Sequence, residues 1–352
     1  MSELRFEILD DLASVPSWER LASLSGNVFA TREWATTWWR HFGDDRPLQV
    51  TVCRDGGGQP VAILPLYLSS RRPLRTLRFV GHGPADQLGV VCAPGGAVTA
   101  IEALREATRR HVTDWDVFIA DRVPADQPWH DLLGGRVLQS EPDPVLRMEG
   151  RSWDEFLASR SSNFREQVRR RERKLAREHE LRYRLADPDS LDQDFDTMLH
   201  LHELRWGSDS PSFDDALAGF HRDFCGVALE RGWLRLWTAE VNGQPVASWY
   251  GYRFEGAESY YQSGRDPDWD RYSVGFVLLS HTIREGFDDG MREYRFLRGT
   301  ESYKNRFATE DRGLVTIAIG RGLAGRSASA MGAAARRAVP KRGKRLLARL
   351  AG

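Results

Sequence analysis

Cysteine is scarce: Cys53, Cys92 and Cys225 are the only three in 352 residues, far apart and in no C-x-x-C spacing. That excludes a disulfide framework and a cysteine zinc site, and it fits a reducing, cytoplasmic setting. No apolar run reaches 18 residues, so no segment spans a bilayer as a helix. The start, MSELRFEILDDL, lacks the basic stretch and apolar core of a secretion signal. Neither a P-loop nor a G-x-G-x-x-G occurs, which removes two common nucleotide-binding folds. His200 and His202 in LHLHELRWG are two positions apart and point to different sides of a helix, so they cannot share a metal. No metal is expected.

One further absence is local. Residues 321–352 hold nine Lys or Arg and no acid, although the whole chain balances 50 basic against 50 acidic residues. Residues 1–320 therefore carry 41 basic against 50 acidic side chains, and the tail is a separate electrostatic object. It reads as a helix broken at Pro340 or as an extended basic arm. Either form offers peripheral contact with an anionic membrane surface or nucleic acid, next to the plainer reading of a solvated tail.

What is present argues for a folded body. Twelve Trp and sixteen Phe supply bulky core material, and the length exceeds one ordinary core, so two domains are expected. The Pro and Gly breaks of EPDPVLRMEGRS set the boundary near residue 150. The expected organisation is residues 1–150, residues 151–320 and the basic tail 321–352.

The pentapeptide GQPVA occurs at 58–62 and again at 243–247, each time between two strand-like runs. LQVTVCRDGGGQPVAILPLYL and LRLWTAEVNGQPVASWYGYRF both read as strand, glycine turn, strand, which is a hairpin signature. After each hairpin come another strand, a loop, a helix and a strand. Matching order around a matching pentapeptide points to a tandem duplication of a mixed-sheet α/β (α+β) unit, with a cleft between the two copies.

In RYSVGFVLLSHTIREGF, residues 271–287, Phe276, Leu279, Ile283 and Phe287 share one helical stripe that Val277 and Leu278 widen. The start of this helix, near Ser273–Gly275, would direct free backbone N–H groups and a positive dipole end into the loop after SYYQSG. Such a terminus can hold a pyrophosphate, unless Ser273 is a plain N-cap. The order of elements resembles the GNAT acyltransferase fold. That fold holds acyl-CoA where two parallel strands splay apart, with its pyrophosphate at the loop before the next helix. The usual loop has a Gln or Arg followed by two glycines; this chain has Arg271 and the single Gly275.

Segments running through most of the chain, ATREWATTWWRHFG, GHGPADQLG, SNFREQVRRRERKL, LHLHELRWG, SYYQSGRDPDWDRYSVG and FLRGTESYKNRF, are similar to the tandem-GNAT family known as CelD-type acetyltransferases of cellulose biosynthesis, relatives of the Fem peptidyltransferases. The resemblance covers roughly residues 28–318. It implies two GNAT-like domains with acyl or aminoacyl transfer centred on the second, and acetyl-CoA or another acyl-CoA as co-substrate. Under it, Gln262, Ser263, Arg271, Ser273, Val274 and Gly275 are the cofactor-binding candidates.

Acyl transfer needs a group to take the nucleophile's proton, donors for the oxyanion and an acid for the departing thiolate. The resemblance places that acid at Tyr303, where a ring packed under the helix is the alternative. Glu301 is a base candidate or a first-turn acid favoured by the helix dipole. Arg298 and Lys304 suit anionic groups better than proton abstraction. Asp86, accompanied by His82, lies at the equivalent turn of the first domain and is a third catalytic candidate or a turn-stabilising Asp. His202, Arg205 and Trp206 fall within one helical turn and can line an acceptor pocket, with Tyr261 and Trp39 as further substrate contacts; core packing of Trp206 is the competing reading. Arg160 to Arg177 holds eight basic residues against two acids on a helix with a Phe164, Val168, Leu175 stripe. Its outer face is either solvated or a surface for tRNA phosphate.

The expected activity is acyl transfer to a polar small molecule, sugar or cell-envelope precursor. The alternatives are a Fem-like aminoacyl-tRNA-dependent peptidyltransferase, and a non-enzymatic acyl-CoA fold acting as a scaffold at a membrane surface.

Overall fold

A computed structural model describes residues 4–15, 17–70, 73–207 and 213–338. The chain divides into two units, Met1–Asp143 with Arg312–Gly352, and Pro144–Asp311. Each is built on one mixed sheet.

In the first unit β1 (Arg5–Leu9), β2 (Leu48–Arg54), β3 (Pro60–Ser70) and β4 (Thr76–Phe79) are antiparallel neighbours, and the short β5 (Val91–Cys92) pairs with β3. β6 (Val117–Pro124) then joins β4 in parallel, and β7 (Arg136–Glu141) forms the far edge. In the second unit β8 (Pro144–Arg147) is followed by the antiparallel series β9 (Leu181–Leu185), β10 (Leu234–Val241), β11 (Gln244–Phe254) and β12 (Ala257–Arg265). β13 (Glu293–Arg295) joins β12 in parallel, β8 lies beyond it, and β14 (Glu310–Asp311) forms the edge. β15 (Leu314–Gly320) inserts between β6 and β7 of the first sheet.

The two sheets have equivalent strand orders, β1-β2-β3-β4-β6-β15-β7 and β9-β10-β11-β12-β13-β8-β14. The duplication read from GQPVA extends to backbone detail. Gly58 and Gly243 take φ of 80° and 75°, the left-handed conformation that a tight turn asks of glycine. Both hairpins then carry a bulge at the same place. Cys53 pairs with Ala62 and Arg54 with Pro60, while Ala239 pairs with Ala247 and Glu240 with Pro245, so Val61 and Val246 are the extra residues.

Parallel neighbours need a crossover, and helices supply it. The first unit holds α1 (Trp18–Ser25), α2 (Arg32–Phe42), the crossover α3 (Ala97–Arg110) and α4 (Trp129–Leu133). The second holds α5 (Trp153–Ala158), α6 (Ser162–Glu178), α7 (Leu191–Trp206), α8 (Asp215–Glu230), the crossover α9 (Val274–Asp288) and α10 (Lys304–Phe307). The core of the second unit joins α5, α6 and α9 to the sheet through Phe156, Phe164, Leu175, Trp249, Tyr260, Ile283, Phe296 and Phe307. Fully burying such side chains contributes about 1.5–3 kcal/mol each. α9 is buried on nearly every side, as its apolar stripe predicts.

The division differs in detail from a break at residue 150 and a basic tail that starts at 321. β8 lies in the second sheet, β15 in the first, and α11 (Gly322–Ala338) packs on β15, β7 and β6. The apolar run LVTIAI predicts a strand but contains nothing that selects its sheet. Pro340 and the chain beyond Ala338 lie outside the described residues.

Candidate functional site

β12 and β13 share only three parallel pairs, Ala257 with Glu293, Glu258 with Tyr294 and Ser259 with Arg295. β12 runs on to Arg265, whereas the other strand ends at Arg295, so the two part company at this point. A bulge in β12 marks the departure. Gly251 pairs with Tyr260 and Tyr250 with Gln262, leaving Tyr261 as the extra residue.

The consecutive tyrosines go to opposite faces. Tyr260 stacks on Trp249, with ring centroids 5.6 Å apart, in the α9 core. The Tyr261 hydroxyl meets His221 Nε2 at 3.2 Å, and His221 Nδ1 meets the Tyr250 hydroxyl at 3.2 Å. His221 is fully enclosed, and burial lowers its pKa to about 3, so the ring is neutral. Tyr261, expected to contact substrate, thus belongs to an internal hydroxyl network that ties α8 to the sheet.

Ser263 is the hub of the strand's free end. Its hydroxyl meets the Tyr260 hydroxyl at 2.5 Å and accepts from Arg205 Nη1 at 2.6 Å, and its carbonyl accepts from His202 Nδ1 at 3.2 Å. The last contact assigns the His202 tautomer, and burial lowers this ring's pKa to about 4 against the effect of the Ser263 bond. Glycine at 264 permits the approach, because a Cβ there would collide with the backbone of Leu201 and His202 on α7. His202 is buried, His200 exposed, and Trp206 is 47% exposed with the Arg205 guanidinium 4.5 Å from its ring centroid. Trp206 is therefore a surface side chain and not core packing.

After β13 the chain turns sharply. Leu297, buried, takes a φ of 53° and Gly299 a φ of 137°. Lys304, 5% exposed, holds this turn: its Nζ donates to the carbonyls of Arg298 at 2.7 Å and Leu297 at 3.5 Å and pairs with Glu301 Oε2 at 3.1 Å. The sequence suggested a side chain offered to an anionic ligand; the structure turns it inward, because a left-handed turn exposes carbonyls that need a donor. Arg298 is half-buried and contributes its carbonyl to Lys304. One residue before Lys304, the Tyr303 hydroxyl donates to the Tyr260 hydroxyl at 3.3 Å. Burial and the Tyr260 neighbour push the Tyr303 pKa well above the usual phenol range, so it carries its proton at neutral pH.

α9 begins beside this cluster. Ser273 is its N-cap with a φ of 56°, yet its side chain makes no capping bond. The N–H groups of Phe276 and Val277 both reach the Ser273 carbonyl, at 2.9 and 3.0 Å, which leaves Val274 and Gly275 with no backbone acceptor among the described residues. Arg265 lies over Gly275, whose Cβ would sit 3.2 Å from Arg265 Cδ, and pairs with Asp270. Arg171 of α6 and Arg306 of α10 stack 4.6 and 5.5 Å from the Phe276 ring, and Lys174 and Arg271 lie 5.0 and 4.8 Å from the Tyr272 ring. The basic side of α6 thus borders this helix start.

Asp86 and Trp39 lie in the first unit. Asp86 is buried; Trp39 is half-buried, edge-on to Tyr67 at 5.8 Å. His82 Nδ1 meets the Tyr67 hydroxyl at 2.5 Å, and burial lowers its pKa to about 3. The other candidates all fall in the second unit. Gln262 is half-buried on β12, and Arg271 is exposed. Sequence reasoning missed Tyr260 and Arg265. The signal was available: period-two alternation in SYYQSGR sends the first tyrosine of the pair to the α9 face. Among the described residues no group of three or more His, Cys, Asp or Glu is placed to hold a metal.

Residues 162–305 match the family model of an acetyltransferase (GNAT) domain. That span contains the strand splay, α9 and Tyr303. Several solved structures share the fold. FemX aligns with 90% of this chain and 97% of its own, with a TM-score of 0.63 at 10% identity. The C-terminal domain of a putative lysylphosphatidylglycerol synthetase from Agrobacterium fabrum aligns over 92% and 97%, with a TM-score of 0.58 at 12% identity. L-PGS from Bacillus licheniformis aligns over 86% and 95%, with a TM-score of 0.54 at 13% identity. No curated protein matches the chain. The architecture is a tandem of GNAT-like mixed α/β units.

Proposed function

We propose that the chain is an acyltransferase whose second unit takes an acyl-CoA, acetyl-CoA in the simplest case, and passes the acyl group to an amine or hydroxyl of a polar acceptor. The observation that carries this reading is the pairing of an open strand splay with a helix start whose first two N–H groups have no backbone acceptor among the described residues. Val274 and Gly275 suit a diphosphate, with the α9 dipole adding to the attraction. When bound, the thioester supplies the activated acyl group. In the transfer, the acceptor's nitrogen or oxygen bonds to the acyl carbon as the carbon–sulfur bond breaks.

Tyr303 gives its proton to the departing sulfur, and Tyr260 with Ser263 forms the hydroxyl chain behind it. Glu301, held by Lys304, receives the acceptor's proton directly or through water. Arg205 and the exposed Trp206 offer a cation and a stacking face to a sugar or other polar acceptor. A cell-envelope or polysaccharide precursor has that chemistry. The test is heat stabilisation by CoA together with thiol release from acetyl-CoA across a panel of amino sugars, sugars and amino acids. Stabilisation with acceptor-dependent thiol release is the expected result; absence of both overturns the reading.

A second reading, aminoacyl transfer from tRNA, draws on the exposed Arg169, Arg170, Arg173, Lys174 and Arg177 of α6 and on the fold shared with FemX. It predicts salt-sensitive tRNA binding accompanied by transfer of the aminoacyl group, and binding without transfer counts against it.

A further inference from the structure

A cavity of about 420 Å³ opens in the second unit between the start of α6 and α10, lined by Arg160, Ser161, Asn163, Phe164, Gln167 and Arg306. None of the six is acidic, and two are guanidinium groups. The polar groups already hold one another in place. Asn163 Oδ1 accepts from Gln167 Nε2 at 3.0 Å, Gln167 Oε1 accepts from Arg306 Nη2 at 2.7 Å, and the Ser161 hydroxyl accepts from the Phe164 N–H at 3.3 Å. Arg160 Nη2 donates to the carbonyls of Phe307 and Ala308 at 2.6 and 3.1 Å, while its Nε is buried with no hydrogen-bond partner among the described residues. The Arg306 guanidinium carbon lies over the Phe164 ring, 5.0 Å from its centroid.

These bonds consume the acceptors of the lining and leave donors: the remaining N–H groups of Arg160 and Arg306 and the amide of Asn163. A cluster of fixed donors with net positive charge and no carboxylate is built for an oxyanion, and guanidinium groups match phosphate in geometry as well as charge. Arg306 also lies 5.5 Å from the Phe276 ring, in the first turn of α9. The cavity therefore adjoins the helix start that suits a diphosphate. Its volume leaves room beyond one phosphate for the sugar that carries it.

We propose that this cavity is a phosphomonoester subsite that receives the 3′-phosphate of the CoA nucleotide, with Arg160 and Arg306 as its ligands. The proposal rests on the acyl-CoA reading, and fragments of the donor separate the two. Binding of CoA, dephospho-CoA, adenosine 3′,5′-bisphosphate and AMP to the full chain is measured by calorimetry. Wild type binds CoA about tenfold tighter than dephospho-CoA, and the bisphosphate about tenfold tighter than AMP, the scale of one charge-assisted contact.

Gln167→Glu keeps an acceptor for Arg306 but puts a carboxylate in the cavity, and Arg306→Met removes one guanidinium while keeping apolar contact with Phe164. Both variants erase the preference for the 3′-phosphate, with circular dichroism confirming their fold. Equal binding of CoA and dephospho-CoA by wild type overturns the subsite and leaves the acyl-CoA reading standing. Discrimination between the bisphosphate and AMP without binding of either CoA form supports a phosphomonoester cavity and overturns its assignment to an acyl-CoA donor. Arg306-dependent binding confined to an RNA hairpin overturns the proposal in favour of a nucleic acid surface.

Discussion

The Tyr303 hydroxyl donates to the Tyr260 hydroxyl across 3.3 Å, joining the turn after β13 to the free end of β12. The two strands have no ladder bonds there, so this contact and the Ser263 hydroxyl behind it give the splay a defined polar wall. At 3.3 Å it is a long hydrogen bond, and its loss costs about 1 kcal/mol or less. Tyr303→Phe is therefore expected to melt close to wild type while turnover falls about a hundredfold or more, the usual contribution of a positioned proton donor. Tyr260→Phe keeps the donor but removes its relay, and should show a smaller loss. Steady-state thiol release checks both. Unchanged turnover in Tyr303→Phe removes that residue from the mechanism.

Gly299 and Lys304 form one device. With a φ of 137°, position 299 disfavours any Cβ, and one placed there would collide with the Glu301 carboxylate and Lys304 Nζ. Gly299→Ala should cost about 1–3 kcal/mol through backbone strain and displacement of that pair. Lys304→Met leaves the carbonyls of Leu297 and Arg298 short of a donor and should cost about as much. Urea unfolding measures both. The idea fails if Gly299→Ala unfolds at the wild-type midpoint.

Much of this arrangement is legible in the chain. The repeated GQPVA marks both hairpins, and the glycine that closes each turn is the one the pentapeptide begins with. The stripe on residues 276–287 identifies the buried crossover, and Phe164, Val168 and Leu175 face inward on α6 as their spacing requires. Two kinds of fact were not legible. β8 and β15 are apolar strands of four and seven residues, and sheet membership depends on long-range pairing that no local pattern encodes. Charge type did not reveal direction either. Lys304 is as basic as Arg306, yet the first is consumed by the turn it stabilises, whereas the second lies across Phe164 and Phe276.

Acid should weaken the second unit before its carboxylates alone would require. His221 and His202 are buried neutral, with pKa values lowered by burial to about 3 and about 4 from an unfolded value near 6.5. A lowered histidine pKa means that the unfolded chain takes up protons the folded chain refuses. The stabilising contribution is complete above pH ~6.5 and declines as pH falls toward the folded values, with a slope approaching ~1.4 kcal/mol per pH unit for each ring. His221→Gln retains a donor and an acceptor for Tyr250 and Tyr261 without the titration. Its melting temperature should fall less steeply than wild type between pH 7 and pH 5, and parallel slopes would falsify this assignment.

The last 14 residues can be tested apart from the helix before them. α11 belongs to the first unit: the Arg321 N–H donates to the Asp116 carbonyl at 2.7 Å, and Gly325 packs so closely that a Cβ would strike the same carbonyl. Cutting the chain at Gly320 would therefore uncover the sheet as well as remove charge. Cutting after Ala338 removes Lys341, Arg342, Lys344, Arg345 and Arg349 and no acid. Among the described residues no helix is long and apolar enough to cross a membrane, and the five basic side chains of the last 14 residues are a source of charge-based attraction to an anionic surface. At about 1 kcal/mol per basic residue near an anionic surface, five charges suffice for measurable vesicle binding at low salt. The full chain should float with phosphatidylglycerol vesicles and be released by 0.5 M salt, on the order of several-fold above physiological ionic strength. The chain ending at Ala338 should melt at the wild-type temperature and stay at the bottom of the gradient. Equal flotation of the two chains would assign the contact to another surface.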